Sequence, residues 1–203
     1  MPPSLGVPAA LVIGYLLGSV PSGVIAVRVV LHRDVRNLGS GNIGAANVAR
    51  NAGRRVGIAV GLLDGLKGVL AVVIAGHLGG GLALEAAGLG AVLGHDFSLF
   101  LRFRGGKGVA TSLGVGLALA PVAAIAAAIV WLVVWLRWGY SSSASLLALA
   151  ALPAAMAITG QPPGYLALTI VLLVLAVVKH RANIARLLNG TEPGRKRRLD
   201  HGD

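Results

Sequence analysis

Long apolar runs alternate with short polar segments along this chain, and the polar segments carry most of its charge. The first apolar run covers about residues 7–31 and follows a start that contains no Lys or Arg. A run of that length predicts a membrane-spanning helix, because a cleavable signal peptide would have a basic start and a shorter apolar core. Pro21 lies within the run and predicts a kink.

The further spans follow from the positions of Lys and Arg. Apart from Lys67, these residues fall into groups at 28–55, 102–107, 137 and 179–198. If all the groups face the cytoplasm, each interval between them crosses the membrane an even number of times. Turns are then expected near 77–81, at Pro121 and near 161–164. The pattern predicts an all-α membrane bundle of about seven spans, some of them short, with the N-terminus outside and the C-terminus in the cytoplasm. A bundle of five full spans, with other segments partial or in-plane, is the alternative.

The composition agrees with a membrane protein. Hydrophobic residues make up 56% of the chain and charged residues only 12%, and the mean hydropathy is +0.80. Aromatic residues contribute 4%, so small and aliphatic side chains are expected at close helix contacts. The chain has no cysteine, which excludes disulfides and thiolate chemistry. The net charge of +11 is explained by cytoplasmic loops rather than by nucleic-acid binding.

One helical domain followed by a tail is expected from the change in composition near residue 190. Residues 1–189 are predicted to form the membrane domain. Residues 190–203 are basic and poor in apolar side chains, which predicts a disordered tail.

The first polar loop, residues 36–50, is dense in glycine and basic. Gly39, Gly41 and Gly44 allow backbone N–H groups to converge on one anion. Further donors are available on Ser40, Asn42, Asn47 and Arg50. This loop is therefore a candidate anion site at the membrane surface.

The second polar segment runs from Gly94 to Ser112. Within it, Gly105, Gly106 and Gly108 surround Lys107, an arrangement suited to phosphate. It does not fit the Walker A motif, because Gly108 stands where that motif requires Ser or Thr.

A third polar set consists of residues 140–145 and 180–186. His180 and Asn183 are three residues apart and share one face of a helix. The predicted topology brings all three polar sets to one membrane face. In addition, Asp64 and Lys67 are expected to pair within the second span, as a structural pair or, alternatively, in contact with substrate.

Taken together, these sets resemble the acyl-phosphate:glycerol-3-phosphate acyltransferase family of bacterial membranes. The matching segments are residues 39–50, 63–68, 94–111, 140–145 and 180–190. The resemblance implies transfer of a fatty acyl group from acyl phosphate to the 1-hydroxyl of glycerol 3-phosphate, at the cytoplasmic face of the inner membrane. One departure is Ala46, where the family usually carries Thr.

The resemblance also assigns the site. Catalytic roles are expected for Ser40, Arg50, Lys107, His180 and Asn183. Substrate-binding positions are expected at Gly39, Gly41, Asn42, Asn47, His95, Gly105, Gly106, Gly108, Thr111, Ser142 and Ser145. The base that accepts the hydroxyl proton is either His180 or the substrate's own phosphate.

An acyl phosphate is already activated, so the reaction needs no covalent acyl-enzyme. No cofactor is expected, and the scattered Asp and Glu residues predict no catalytic metal. The expected partners are acyl phosphate, glycerol 3-phosphate and the lipid bilayer. The oligomeric state is left open, a monomer being compatible with the pattern.

Two other functions fit basic groups in a helical bundle. A transporter of an organic anion or phosphate would show repeated halves and polar groups near the midplane, and the sequence presents neither clearly. A scaffold subunit would retain its function when the side chains of the polar sets are removed.

Overall fold

The computed structural model describes the backbone of residues 3–194 and the side chains of residues 6–194, and this part of the chain forms helices and no strand. The ten α-helices are α1 (Pro3–Ser19), α2 (Ser22–Leu31), α3 (Ala45–Ala52), α4 (Arg54–Gly76), α5 (Leu82–Asp96), α6 (Val109–Leu119), α7 (Pro121–Trp138), α8 (Ser141–Ile158), α9 (Pro163–Lys179) and α10 (Arg181–Leu188). Short 3₁₀ helices cover Val35–Asn37 and Leu99–Leu101. The predicted all-α architecture is confirmed.

The number of spans agrees with the expected bundle of long and short segments. Five segments are long and apolar enough to cross a membrane, and α9 with α10, which are bent by 62°, make a sixth if counted together. The short apolar helix α6, between α5 and α7 in the chain, has 11 residues. At 1.5 Å per residue it reaches only about 17 Å of a hydrocarbon core about 30 Å thick. Pro121 begins α7, so the predicted turn at this residue is confirmed.

The first span is broken where the sequence predicts a kink. Proline has no N–H and fixes φ, and here α1 ends at Ser19 and α2 begins at Ser22. The hydroxyl of Ser98 donates to the carbonyl of Ser19 at 2.5 Å, so the buried C-terminal end of α1 gains a partner from the segment after α5. The break is therefore a fixed feature of the bundle.

Glycines allow α1 and α5 to pack at very short range. A methyl group at Gly14 or Gly18 would lie 2.2 or 2.0 Å from a carbonyl oxygen of α5. On the other helix, a methyl group at Gly90 or Gly94 would lie 2.3 or 2.1 Å from a carbonyl oxygen of α1. Both helices thus carry small residues four positions apart at their contact, as in other membrane helix pairs.

The polar loops lie at one end of this bundle. They connect α2 with α4, α5 with α6, and α7 with α8, and the fourth polar segment follows α9. The turns at the opposite end, at residues 77–81, 120 and 159–162, contain no Lys or Arg. Successive spans run in opposite directions, so the polar sets lie together at one end of the bundle.

The start of the predicted disordered tail belongs to the folded unit. Glu192 is 6% exposed, and its carboxylate accepts hydrogen bonds from side chains of α8 and α10. These hydrogen bonds attach the segment to the helices although it has few apolar side chains. Residues 195–203 lie outside the described residues.

Candidate active site

The first glycine loop, residues 38–44, is braced from within by the amide of Asn47. Its Oδ1 accepts from the Ser40 N–H at 3.1 Å, and its Nδ2 donates to the carbonyls of Leu38 (3.0 Å) and Asn42 (2.8 Å). Gly39 and Gly41 have φ of 54° and 70°, values that favour glycine. Asn47 is only 1% exposed, whereas Ser40 is exposed at the turn. The loop thus presents Ser40 on a preformed backbone.

The other predicted groups of this loop divide between its interior and its surface. Asn42 Oδ1 accepts from the Gly44 N–H at 2.8 Å, which closes the turn before α3. Ala46 and Arg50 are exposed on α3. The helix therefore carries the Arg50 cation out of the loop and toward the second polar segment.

The second glycine loop, residues 105–108, lies directly on the end of α5. The Gly105 and Gly106 N–H groups donate to the carbonyls of Asp96 (3.2 Å) and His95 (2.9 Å). A methyl group at Gly106 would lie 2.1 Å from His95 Nε2. Gly108 has a φ of 69° and precedes α6. Only glycine fits the path of the backbone on either side of Lys107, which is itself partly buried.

Lys107 joins this loop to α10. Its Nζ donates to Oδ1 of Asn183 on α10. The Asn183 amide in turn donates to Oε1 of Glu192 at 2.6 Å, and Ser142 Oγ donates to the same oxygen at 2.7 Å. Arg186 Nε donates to Glu192 Oε2 at 2.8 Å. Glu192 therefore links Ser142, Asn183 and Arg186, although no pattern in the sequence indicates this role.

Charges around Lys107 show how closely the loops converge. Burial lowers the pKa of Lys107 to about 8; the Glu192 carboxylate opposes this shift, and the cations Arg186, Arg50 and Lys179 lower the pKa further. Burial alone would raise the pKa of Glu192, but hydrogen bonds from Asn183, Ser142 and Arg186 bring it below its ordinary value. Lys107 and these three cations come from four segments of the chain and lie close together, which favours an anionic ligand.

Two open clefts lie over the second loop and share Gly105 and Lys179. The larger has a volume of about 610 Å³ and the smaller about 230 Å³. The larger is lined by Asp34, Arg36, Asn37, Gly41, Phe103, Arg104, Gly105 and Lys179. The smaller is lined by Asn42, Gly105, Gly106, Lys107, Lys179, Arg181 and Ala182. Sequence reasoning missed Lys179, whose Nζ donates to the Asp96 carbonyl at 2.8 Å.

His180 is 2% exposed at the junction of α9 and α10. Its Nδ1 lies 2.7 Å from the carbonyl oxygen of Ala176, so Nδ1 carries a proton and donates it there. Nε2 is the ring nitrogen left with an acceptor lone pair in the neutral imidazole. This tautomer is suited to accepting a proton.

Several predicted substrate-binding residues lie beneath the loops. His95 and Thr111 are 4% and 0% exposed. Ser145 donates to the Ser141 carbonyl at 2.7 Å and accepts from Trp131 Nε1 at 3.2 Å. Asn47 uses its amide within the first loop, as described above. The structure brings together Ser142, Asn183, Lys107 and Arg50. Of the deeper residues, Ser145 and Asn47 make bracing hydrogen bonds, whereas the buried Thr111 hydroxyl has no hydrogen-bond partner among the described residues.

Comparison with known proteins agrees with this geometry. Residues 8–190 match the model of the glycerol-3-phosphate acyltransferase family. Glycerol-3-phosphate acyltransferase from Mesorhizobium japonicum is 48% identical over 187 residues, which is 92% of this chain and 95% of the relative. The enzyme of that name from Brucella ovis is 47% identical over 183 residues, 90% of each chain.

Two solved structures are also similar. Both are of PlsY (YgiH), an integral membrane glycerol 3-phosphate acyltransferase, one in its glycerol 3-phosphate form and one in its lysophosphatidic acid form. Each superposes with a TM-score of 0.86 at 38% identity, over 93% of this chain and 94% of that chain. This chain belongs to the glycerol-3-phosphate acyltransferase family of integral membrane proteins.

Proposed function

We propose that this chain transfers a fatty acyl group from acyl phosphate to the 1-hydroxyl of sn-glycerol 3-phosphate, giving 1-acylglycerol 3-phosphate and inorganic phosphate. This is the first acylation step of phospholipid biosynthesis. The observation that carries the proposal is the convergence on Lys107, which contacts Asn183 of α10 and lies within the electrostatic reach of Arg50 from the first loop. The reaction requires such a site, because both substrates bear phosphate.

The reaction is an attack of the glycerol hydroxyl oxygen on the acyl carbon. The new ester C–O bond forms, the C–O bond to the phosphate breaks, and phosphate leaves with the bonding electrons. Arg50 and Lys107 neutralise the phosphates and the charge that develops on them. Ser40 and the N–H groups of the glycine loops are the candidates for stabilising the tetrahedral oxyanion. The remaining substrate-binding positions keep the roles that the resemblance implies.

The hydroxyl proton has two possible acceptors. Nε2 of His180 carries a lone pair, because Nδ1 donates to the Ala176 carbonyl. The phosphate of a bound substrate is the second acceptor. The variant His180→Ala distinguishes the two acceptors. If His180 is the base, kcat should fall by about 10²-fold or more. If the substrate phosphate is the base, kcat should be nearly unchanged.

The donor is tested with purified protein. Acyl phosphate and glycerol 3-phosphate should give lysophosphatidic acid and free phosphate without added metal. Acyl-CoA or acyl carrier protein in place of acyl phosphate should give no product, and the reverse result would disprove the proposed donor. Arg50→Ala and Lys107→Ala should each abolish turnover, whereas normal kinetics in either variant would remove that residue from the site.

We also propose that the protein is a multi-pass protein of the bacterial inner membrane, with its site in the cytoplasm and its N-terminus outside. The excess of Lys and Arg at the site end supports this orientation. The chain has no cysteine, so single cysteines can report accessibility. A membrane-impermeant maleimide should label Gly80→Cys in intact spheroplasts and should label Arg137→Cys only after lysis; the opposite pattern would invert the topology.

A further inference from the structure

A buried charged cluster lies beneath the second glycine loop. Lys67 Nζ is 3.0 Å from Oδ1 of Asp64 and 2.7 Å from Nδ1 of His95. The side chains of Lys67, Asp64 and His95 are 7%, 4% and 5% exposed. Burying an ammonium and a carboxylate costs several kcal/mol per ion unless their hydrogen-bonding capacity is satisfied. The cluster therefore requires an explanation beyond ordinary packing.

We propose that Asp64 and Lys67 are positioning residues for the second glycine loop, and that they act by fixing the ring of His95. The inference rests on the proposed function, since the loop carries Lys107 of the proposed site. In this role the Asp64–Lys67 pair acts on the loop without contacting substrate, and it does more than hold the bundle together.

The first step of the argument concerns the protons. An ammonium has three N–H donors and no acceptor. Lys67 Nζ is surrounded by the Asp64 carboxylate, His95 Nδ1 and the carbonyl oxygen of Val20, the last at 3.2 Å. His95 Nδ1 must accept from the ammonium, so the ring is neutral and its proton lies on Nε2. Lys67 thereby sets both the tautomer and the orientation of the imidazole.

The second step concerns the contact between that ring and the loop. A methyl group at Gly106 would lie 2.1 Å from His95 Nε2, and one at Gly105 would lie 2.0 Å from the His95 carbonyl oxygen. The Gly106 N–H donates to the same carbonyl at 2.9 Å. The backbone before Lys107 thus rests on the ring and main chain of His95. A rotated imidazole would displace Gly106 and, with it, the adjacent Lys107.

The third step links the cluster to the first loop. The Val20 carbonyl is available because Pro21 breaks the first span, and Lys67 reaches it across 47 residues of sequence. On the other side of the break, a methyl group at Gly23 would lie 1.9 Å from the Ile43 carbonyl of the first loop. Lys67 therefore holds together α5, which supports the second loop, and the break beside α2, which packs on the first.

The test replaces the charged pair by apolar residues of similar size, Asp64→Leu with Lys67→Met. Replacing both members of the pair leaves neither Asp64 nor Lys67 as an ion without its partner, so the protein should fold. If the pair positions the loop, kcat/KM should fall about a hundredfold, as for a displacement of about 1 Å at a site, while the thermal unfolding temperature in detergent is maintained. Thr169→Val, which removes a 1% exposed hydroxyl bonded within α9, is the matched control and should keep wild-type kinetics. Wild-type kinetics in the double variant would overturn the proposal.

A double-mutant cycle tests the route through His95. The charged pair is removed in wild type and in a His95→Ala background, and kcat/KM is compared. If Lys67 acts through the ring, removing the pair has almost no further effect once the ring is absent. Independent, multiplicative losses would overturn the proposal, because they would show that the pair acts by another route.

A spectroscopic measurement remains informative if the proposed reaction is wrong. The protein contains five histidines, and ¹⁵N-histidine labelling with His95→Ala assigns the signal of His95. In wild type, Nδ1 should give the resonance of an unprotonated, hydrogen-bonded nitrogen. In the Asp64→Leu, Lys67→Met variant this resonance should move, and an unchanged resonance would disprove the positioning role. Absence of turnover with acyl phosphate in wild type would count against the proposed function alone.

Discussion

The two glycine loops of the site are built in different ways. The first is braced by Asn47, whose side-chain hydrogen bonds to the loop join residues at most nine positions apart in sequence. The second receives its support from elsewhere: Gly106 rests on His95, and Lys107 bonds Asn183, 76 residues away. A loop of the first kind is specified locally, whereas one of the second kind depends on how α5 and α10 are packed. Changes in the two loops should therefore have different consequences.

Among changes to the support of the two loops, the largest effect is expected at the second loop, from Gly106→Ala. The added methyl group would lie 2.1 Å from His95 Nε2, at a glycine that is itself buried. The loop must move, and a shift of about 1 Å at a reacting centre costs about a hundredfold in rate. Steady-state kinetics of the purified variant measure kcat/KM for both substrates.

Gly80→Ala is the matched control for this change. Gly80 lies in the turn between α4 and α5 at the other end of the bundle, and an added methyl group there meets nothing within 4 Å. Its kinetics should equal those of wild type. Equal kinetics in Gly106→Ala would show that the loop is loose and would remove the contrast with the first loop.

A second effect of the remote support is on pH dependence. Burial lowers the pKa of Lys107 from 10.5 to about 8, so its ammonium loses a proton as the pH rises through about 8. Because the charged form binds the anions, kcat/KM should fall about tenfold per pH unit above that value. The pH profile of kcat/KM measures this alkaline limb.

Two variants separate Lys107 from other titrating groups. Lys107→Arg should lose the alkaline limb at any level of activity, because a guanidinium stays charged. Glu192→Gln should move the limb to lower pH, because the Glu192 carboxylate raises the pKa of Lys107. A limb that persists unchanged in Lys107→Arg would have to come from another group.

A smaller effect is expected from Asn47→Ala in the first loop. The change removes the partners of the Ser40 N–H and of the Leu38 and Asn42 carbonyls, each bond being worth about 1 kcal/mol net. The loop loosens but does not collide with anything, so kcat/KM should fall about tenfold, equivalent to about 1.4 kcal/mol. Asn51→Ala is the control, since Asn51 is exposed and donates to Asn47, and it should have less effect. A loss as large as that of Gly106→Ala would contradict the local character of this loop.

The contrast between the loops also explains what the sequence could predict. The helices, the break at Pro21 and the turn at Pro121 follow from apolar length and from the chemistry of proline, which act locally. The three polar sets could be placed on one face, because helices that cross a membrane in succession return their ends to the same side.

Partners distant in sequence could not be predicted in this way. Lys67 could be paired with Asp64 from their spacing, but its contact with His95 depends on the packing of α4 against α5. Glu192 was placed in a tail whose composition suggests disorder, yet its carboxylate is buried by hydrogen bonds from α8 and α10. Polar contacts of this kind have no periodicity in the sequence, so only the assembled bundle reveals them.

The smallest effect is expected from Ala46→Thr, which tests the first loop without disturbing it. Ala46 is exposed at the start of α3, so the larger side chain needs no rearrangement and the stability should change by less than about 0.5 kcal/mol. A hydroxyl there, near the N-terminal end of a helix, can donate to a phosphate held by the loop. We expect KM for one of the two substrates to fall about threefold, a small part of what a hydrogen bond to a charged group can contribute. Ala46→Val has nearly the same shape without the hydroxyl and should leave KM unchanged. Equal KM values in the two variants would mean that the phosphate lies out of reach of α3 and is bound chiefly by the second loop.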